Sequence, residues 1–333
     1  MRVLACPASL KGVLGPIEAA AALAVGLRRV DGIKVEELPL EDGGEGTLEV
    51  IFRSLGGEWR AARVSDPLGR PVEARYLELA DGRAVVESAQ AIGLPLLAPG
   101  EREPLRASSR GLGELVLAAL EERPRELLVC LGGVATVDGG AGLLEVMPEL
   151  RVPVRVACDV RNPLLGTRGA ARAFGPQKGA SPEAVEELER RLEGMAELAP
   201  FANLPGAGAA GGLGAAFAAL GAVLVPGAEL VLDLVGFRER VRSASLAVTG
   251  EGTIDRTSSE GKAPGEVVRV CLAEGVRCAV FGGVVAGSID GAELYELSGD
   301  PARAREDLVA LGERLAATVH LEGPAKRPSL DGS

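Results

Sequence analysis

The stretch VEELPLEDGGEGTLEVIFRSLGG, residues 35–57, sets the grammar of the chain. Residues 35–40 read as a short strand. Asp42-Gly43-Gly44-Glu45-Gly46 is too rich in glycine to continue that strand and opens a loop. Residues 47–55 read as a helix, stopped by Gly56-Gly57. The segment before it repeats the pattern. Residues 3–6 form an apolar run that ends at Pro7, and residues 17–30 carry helical spacing with Pro16 near the start. A β-loop-α-β-loop-α opening is typical of an open parallel sheet.

Downstream the grammar changes. Residues 59–64, 72–79 and 83–88 read as short strands joined by turns at Asp66-Pro67-Leu68-Gly69 and Asp81-Gly82, which is antiparallel hairpin grammar. A helix follows at 113–122, then strands at 126–131 and 154–158, a charged amphipathic helix at 183–199 and a helix at 213–220. Near Ala244 the strand-helix alternation returns, with strands at 246–249, 278–281 and 293–297 and a closing helix at 301–318. These changes predict an α/β protein of two domains. Residues 1–57 and 240–325 would form a discontinuous Rossmann-like domain, residues 58–239 an inserted second α/β domain, and 326–333 a disordered tail. Open α/β sheets bind ligands beyond the carboxyl ends of their strands, and the glycine- and acid-rich loops fall mostly there.

Composition narrows the function. The 333 residues carry a formal net charge of −11, a poor background for nucleic acid. The uncharged run 198–228 is broken by Pro200, Pro205 and Pro226, which argues against a membrane span. The amino-terminal apolar run is too short for a signal peptide. Five cysteines without a C-x-x-C pair, and His320 as the one histidine, disfavour a His/Cys metal site and suggest reduced thiols in a cytoplasm.

The loops hold the chemistry. Lys11, in Pro7-Ala8-Ser9-Leu10-Lys11-Gly12, follows the first strand and can meet a phosphate or carboxylate as a point charge, or be a solvated loop lysine. Asp42 and Glu45, framed by Gly43 and Gly44, could hold Mg²⁺ or position a hydroxyl, or merely favour a helix dipole. A second glycine loop carries Gly132, Gly133, Thr136 and Asp138. Asp159 ends a strand, with Asn162 close behind, and Gln177 and Lys178 sit in a Gly/Pro frame. Gly206, Gly208 and Gly211 match G-x-G-x-x-G in form, but the segment before them is a poor strand; a phosphate cradle on the following helix is the reading left. Glu251 and Asp255 follow a strand, with Lys262 beyond, and this is no Walker A loop. Acids, lysines and glycine loops without histidine suit phosphoryl transfer, with Asp42, Glu45 and Asp159 as Mg²⁺ and hydroxyl ligands.

Taken in order, these segments resemble the type I glycerate kinase family. The similarity runs through 7–11, 42–47, Ser109-Arg110-Gly111-Leu112-Gly113-Glu114, 132–142, 158–164, 174–180, 206–214, 250–255 and 261–264, about residues 1–318 in all. It implies a two-domain α/β kinase using Mg-ATP and D-glycerate and usually making 2-phosphoglycerate, with 3-phosphoglycerate the other outcome. It adds Ser9, Arg110 and Gly212 to the binding residues and leaves a homodimer open. The sequence departs from the family pattern at Ala8, Val134, Val137, Thr253 and Thr257, and the segment between Gly142 and Val154 is short. Those departures keep two alternatives in view: a kinase-like protein of altered or reduced activity, and a non-catalytic binding homologue.

Overall fold

The computed structural model describes residues 1–259 and 261–322; the tail drawn at 326–333 lies outside the described residues. The chain runs β1 (Arg2–Ala5), α1 (Pro16–Leu27), β2 (Lys34–Glu37), α2 (Thr47–Leu55), β3 (Glu58–Ser65), β4 (Pro71–Glu78), β5 (Arg83–Glu87) and α3 (Ser88–Ile92). It continues through α4 (Arg110–Glu121), β6 (Glu126–Leu131), α5 (Ala141–Val146), β7 (Val154–Cys158), α6 (Ala170–Phe174), α7 (Pro182–Glu193), α8 (Ala209–Ala219) and β8 (Val223–Pro226). Then come α9 (Gly227–Leu234), α10 (Phe237–Val241), β9 (Leu246–Ile254), α11 (Ala263–Ala273), β10 (Arg277–Val285), β11 (Glu293–Glu296) and α12 (Ala304–Glu322).

Two compact units result: Met1–Glu41 with the chain from Val231 onward, and Asp42–Leu230. The sequence had drawn these divisions at 57 and 240. Helix α2 belongs to the second unit because Glu87, at the end of β5, holds its amino end. The Gly46 N–H donates to Glu87 Oε1 at 3.1 Å and the Leu48 N–H to Oε2 at 3.2 Å.

The first unit is a five-stranded, all-parallel sheet in the order β11-β10-β9-β1-β2. Leu246, Ala247 and Val248 of β9 are all fully buried, as a strand covered on both faces requires. Val3, Ala5 and Val248 share one core with Ala19 and Leu23 of α1 and with Leu308, Leu311 and Leu315 of α12. The strands β9 and β10 outrun the expected ends at 249 and 281. Gly250 pairs with Phe281 and Glu251 with Gly282, so Gly250-Glu251-Gly252 is strand rather than loop.

The second unit is a six-stranded mixed sheet, β3-β4-β5-β6-β7-β8. The pairs β3–β4 and β4–β5 are antiparallel and the rest parallel. Leu112, Leu115 and Val116 of α4 and Phe217 of α8 pack with Leu127, Val129 and Leu131 of β6 in its core.

In the first unit α1 and α12 meet at a crossing that admits only glycine. A Cβ added at Gly26 would lie 1.9 Å from the Val309 carbonyl oxygen, and one at Gly312 would lie 2.4 Å from that of Leu23. A Gly→Ala change inside a free helix gains about 1 kcal/mol. Here the sign reverses. Gly26→Ala is expected to destabilise the protein by about 1–3 kcal/mol through overpacking, read as a lower urea midpoint. An unchanged or higher midpoint would show that the helices do not approach this closely.

Candidate active site

The parallel part of the second unit's sheet brings three loops to one edge. Glu87 ends β5 and Ser88 opens α3, Gly132 and Gly133 follow β6, and Asp159 follows β7. The Ser88 hydroxyl clasps Gly132, donating to its carbonyl and accepting from its N–H, each at 3.1 Å. The loop entering α2 lies across this edge. A Cβ on Gly132 would come within 2.8 Å of Gly44 Cα, one on Gly133 within 3.1 Å of Glu45 Oε2, and one on Gly43 within 2.8 Å of Ala157 Cβ. Glu45 and Asp159 are exposed, while Asp42 is half-buried. This is an open edge with carboxylates above bare backbone.

Behind it the loops are tied from inside. Lys178 is only 4% exposed, and its ammonium donates to the Thr136 carbonyl at 2.8 Å. The Gly/Pro frame therefore encloses this lysine, whose ammonium is spent on a backbone carbonyl. Asp138 is likewise engaged: it accepts from Ser109 N and Oγ, both at 2.8 Å, and from the N–H groups of Gly140 and Gly142 at 3.1 and 3.3 Å. These bonds occupy the carboxylate with backbone and Ser109, so its evident work is to pin the starts of α4 and α5. Arg110 pairs with Glu114 at 2.9 Å, and Asn162 Nδ2 donates to the Arg168 carbonyl at 2.7 Å. Gln177 is exposed.

The glycine run before α8 is interior packing. Gly206, Gly208, Gly211 and Gly212 are buried. A Cβ on Gly208 would meet the Pro163 carbonyl oxygen at 2.2 Å, and one on Gly211 the Thr136 carbonyl oxygen at 2.0 Å. Carbonyls crowd these glycines beside their Cα atoms, and the Gly208 N–H is already spent on the Asn162 carbonyl at 2.9 Å. Close approach of backbones explains these glycines.

Two buried ionisable groups frame the edge. Burial pushes the Glu87 carboxyl up to about 7, opposed by the Leu48 and Gly46 N–H groups and reinforced by Glu45 and Glu49. Burial pulls the Lys178 ammonium down to about 7, with Asp138 resisting. Sequence reading missed Glu87 and Ser109; an acid directly after the buried run Ala84-Val85-Val86 was the available signal for the first.

In the first unit the remaining candidates gather around one cavity of about 330 Å³. Lys11, Glu251, Asp255 and Lys262 line it. Lys11 is exposed in the tight loop closed by the Leu10–Leu14 bridge, and Ser9 is half-buried just before it. Lys262 lies 3.7 Å from Glu251, whose other oxygen accepts from Ser258 Oγ at 2.7 Å. The Thr257 hydroxyl and N–H hold the Asp255 carboxyl below its ordinary range.

Among the described residues no three Asp, Glu, His or Cys side chains converge to hold a metal, so Asp42, Glu45 and Asp159 do not form a closed cage here. No described helix is long and apolar enough to cross a membrane.

The Lys178 ammonium gives a pH signature. It binds its proton less readily folded, at about 7, than at its ordinary 10.5. Between those values the unfolded chain holds more protons, so stability rises with pH. The wild-type thermal midpoint is expected to gain on that of Lys178→Met from about pH 7 to about pH 9.5. Parallel profiles across that window would mean that the ammonium is not buried.

Comparison with known proteins follows the same outline. The model of the glycerate kinase family matches residues 3–148 and 145–300. A glycerate kinase of Halalkalibacterium halodurans is 38% identical, with 82% of this chain and 83% of that protein covered. The glycerate 2-kinase of Escherichia coli K12 is 39% identical, with 81% and 82% covered. A solved chain from Salmonella typhimurium LT2, a candidate glycerate kinase 2, superposes with a TM-score of 0.82 at 32% identity over 97% of this chain and 99% of its own. The match runs through both units and both sheets, and the chain belongs to the glycerate kinase family.

Proposed function

We propose that the protein transfers the γ-phosphoryl group of ATP to D-glycerate, giving 2-phosphoglycerate and ADP. The observation that carries this reading is a pair of exposed acids on one sheet edge: Glu45, which meets Gly133, and Asp159, one residue beyond the Leu131–Cys158 pairing. Relatives named glycerate kinase and glycerate 2-kinase support this choice of acceptor and of the position of attack.

Phosphoryl transfer asks a protein mainly for positioning and charge neutralisation. The acceptor hydroxyl oxygen bonds to the γ-phosphorus, the bond from that phosphorus to the β–γ bridging oxygen breaks, and the hydroxyl proton must leave. Asp159 is the acceptor we assign for that proton, since no histidine lies in these loops. Mg²⁺ enters as part of the ATP substrate. Such an ion keeps several waters and needs only one or two carboxylates besides the phosphates, a demand that Glu45 and Asp42 can meet without a closed cage. Lys11 supplies positive charge for an anionic group. The five cysteines are buried and unpaired, which supports a reducing compartment, and we place the protein in the cytoplasm.

An ADP-release assay with D-glycerate, L-glycerate and no acceptor tests the proposal. ADP release should require D-glycerate, and phosphorus NMR should show the 2-phosphate. Asp159→Asn should keep the fold and cut turnover by about a hundredfold or more. Wild-type turnover in Asp159→Asn would remove the assigned base. No ADP release with any small hydroxy acid would leave a non-catalytic binding protein.

A further inference from the structure

Among the described residues, one half-buried arginine has no partner. It is Arg102, in the second unit, and its Nε is buried without a hydrogen bond. Every other half-buried arginine among them, such as Arg155 with Glu126 and Arg277 with Glu293, holds a carboxylate. The acids on either side of Arg102 are committed elsewhere. Glu101 pairs with Arg70 at 2.7 Å, and Glu103 with Arg106 at 3.1 Å. A buried guanidinium nitrogen with no acceptor is costly, and an anionic ligand would remove that cost.

The chain around Arg102 crosses the sheet edge where the candidate acids lie. Strand β4 begins at Pro71 and runs antiparallel to β5, so the turn 66–70 projects from the same edge as the carboxyl ends of β5, β6 and β7. Arg70 of that turn holds Glu101, and the Ser108 N–H donates to the Pro67 carbonyl at 2.8 Å. Upstream, the Leu94 N–H donates to the Gly133 carbonyl at 2.7 Å. Arg102 also backs onto Gly179, where an added Cβ would lie 3.1 Å from its own Cβ. Lys178, one residue before, is spent on the Thr136 carbonyl, whereas Arg102 Nε still has its proton to give.

We propose that Arg102 is a specificity-determining residue that binds the carboxylate of the hydroxy acid. The inference rests on the proposed transfer to D-glycerate and names the group that recognises that acceptor. A planar guanidinium meets a carboxylate with two parallel hydrogen bonds, a geometry that a lysine cannot copy. In D-glycerate the carboxylate is bonded directly to the carbon that carries the 2-hydroxyl. With Asp159 assigned to take the proton of that hydroxyl, the carboxylate is confined to the same edge. Arg102 is a half-buried cation placed there with a donor in hand.

Calorimetric titration of the full-length protein with D-glycerate, alongside steady-state kinetics, provides the test. Arg102→Met keeps an apolar stem and removes the guanidinium, and Arg102→Gln stands in should the first variant fail to fold. Each should weaken D-glycerate binding at least about tenfold and raise its KM in step, while the KM for ATP stays within about twofold. Methyl D-glycerate has no charge to lose, so the preference in kcat/KM for the acid over this ester should shrink by the same factor. Unchanged D-glycerate affinity in a folded variant overturns the assignment, as does a rise confined to the KM for ATP, which would put a phosphate on Arg102. An equal loss for acid and ester overturns it too, since an arginine that only supports the loop would affect both alike. So does an unmutated protein that binds no D-glycerate. Arg102-dependent binding of D-glycerate without any ADP release would sink the proposed reaction and leave the carboxylate contact standing. ADP release from D-glycerate with KM values indifferent to both variants would do the opposite.

Discussion

Parallel strand pairing is the constraint on which the candidate chemistry depends. A parallel neighbour cannot be reached by a tight hairpin, so the chain must cross back before each new strand and every carboxyl end emerges on the same edge. In the second unit this gathers Glu87, Gly132 and Asp159, far apart in the sequence, at the ends of β5, β6 and β7. The pairing of Glu87 with Cys130 and of Leu131 with Cys158 fixes their order along the edge. It also buries the thiols of Cys130 and Cys158 and raises both, chiefly by desolvation, so these cysteines are inert as nucleophiles. In the first unit the same rule delivers Lys11, Asp255 and the end of β10 to one cavity.

What holds the loops on those edges is backbone crowding plus two buried charges of opposite kind. Carbonyls press onto glycines at Gly208 and Gly211, which leaves no freedom for a side chain and little for the loop. Lys178 then ties the Thr136 carbonyl from within, and Glu87 ties the amino end of α2. Their linkage signs differ. Glu87 carries its proton more readily folded, at about 7 against an ordinary 4.5, so its contribution to stability falls as pH rises between those values. Lys178 is at its worst below about 7 and is relieved above it. The two penalties overlap near neutrality, where Glu87 has begun to ionise and Lys178 has not fully discharged.

The element pattern was readable because strand and helix periods differ and glycines punctuate them. The bounds of α2, β6 and β7 coincide with the sequence reading. The failures share a cause. Gly250-Glu251-Gly252 looks like a loop by composition, yet glycines there let two strands lie close, and β9 simply continues. The 206–212 run looks like an anion cradle, yet its open faces are filled by carbonyls from other loops. Lys178 sits in a Gly/Pro frame that reads as open loop, yet the loops fold over it. In each case local composition reports flexibility and only tertiary packing decides what uses it.

The positions where this chain departs from the family pattern bear on how much chemistry it keeps. Val134 and Val137 are 3% and 1% exposed and belong to the second unit's core. Ala8 is buried as well. A polar side chain at such a place must find a partner or cost about 1–3 kcal/mol, whereas an apolar one of similar shape can be neutral or better. The hydroxyl of Thr136, between the two valines, is buried without a hydrogen-bond partner among the described residues. The two valines therefore add no buried polar group to that core. Thr257 joins Asp255 through its hydroxyl, and Thr253 lines the cavity. Of the departures, these two sit where a ligand could sense them.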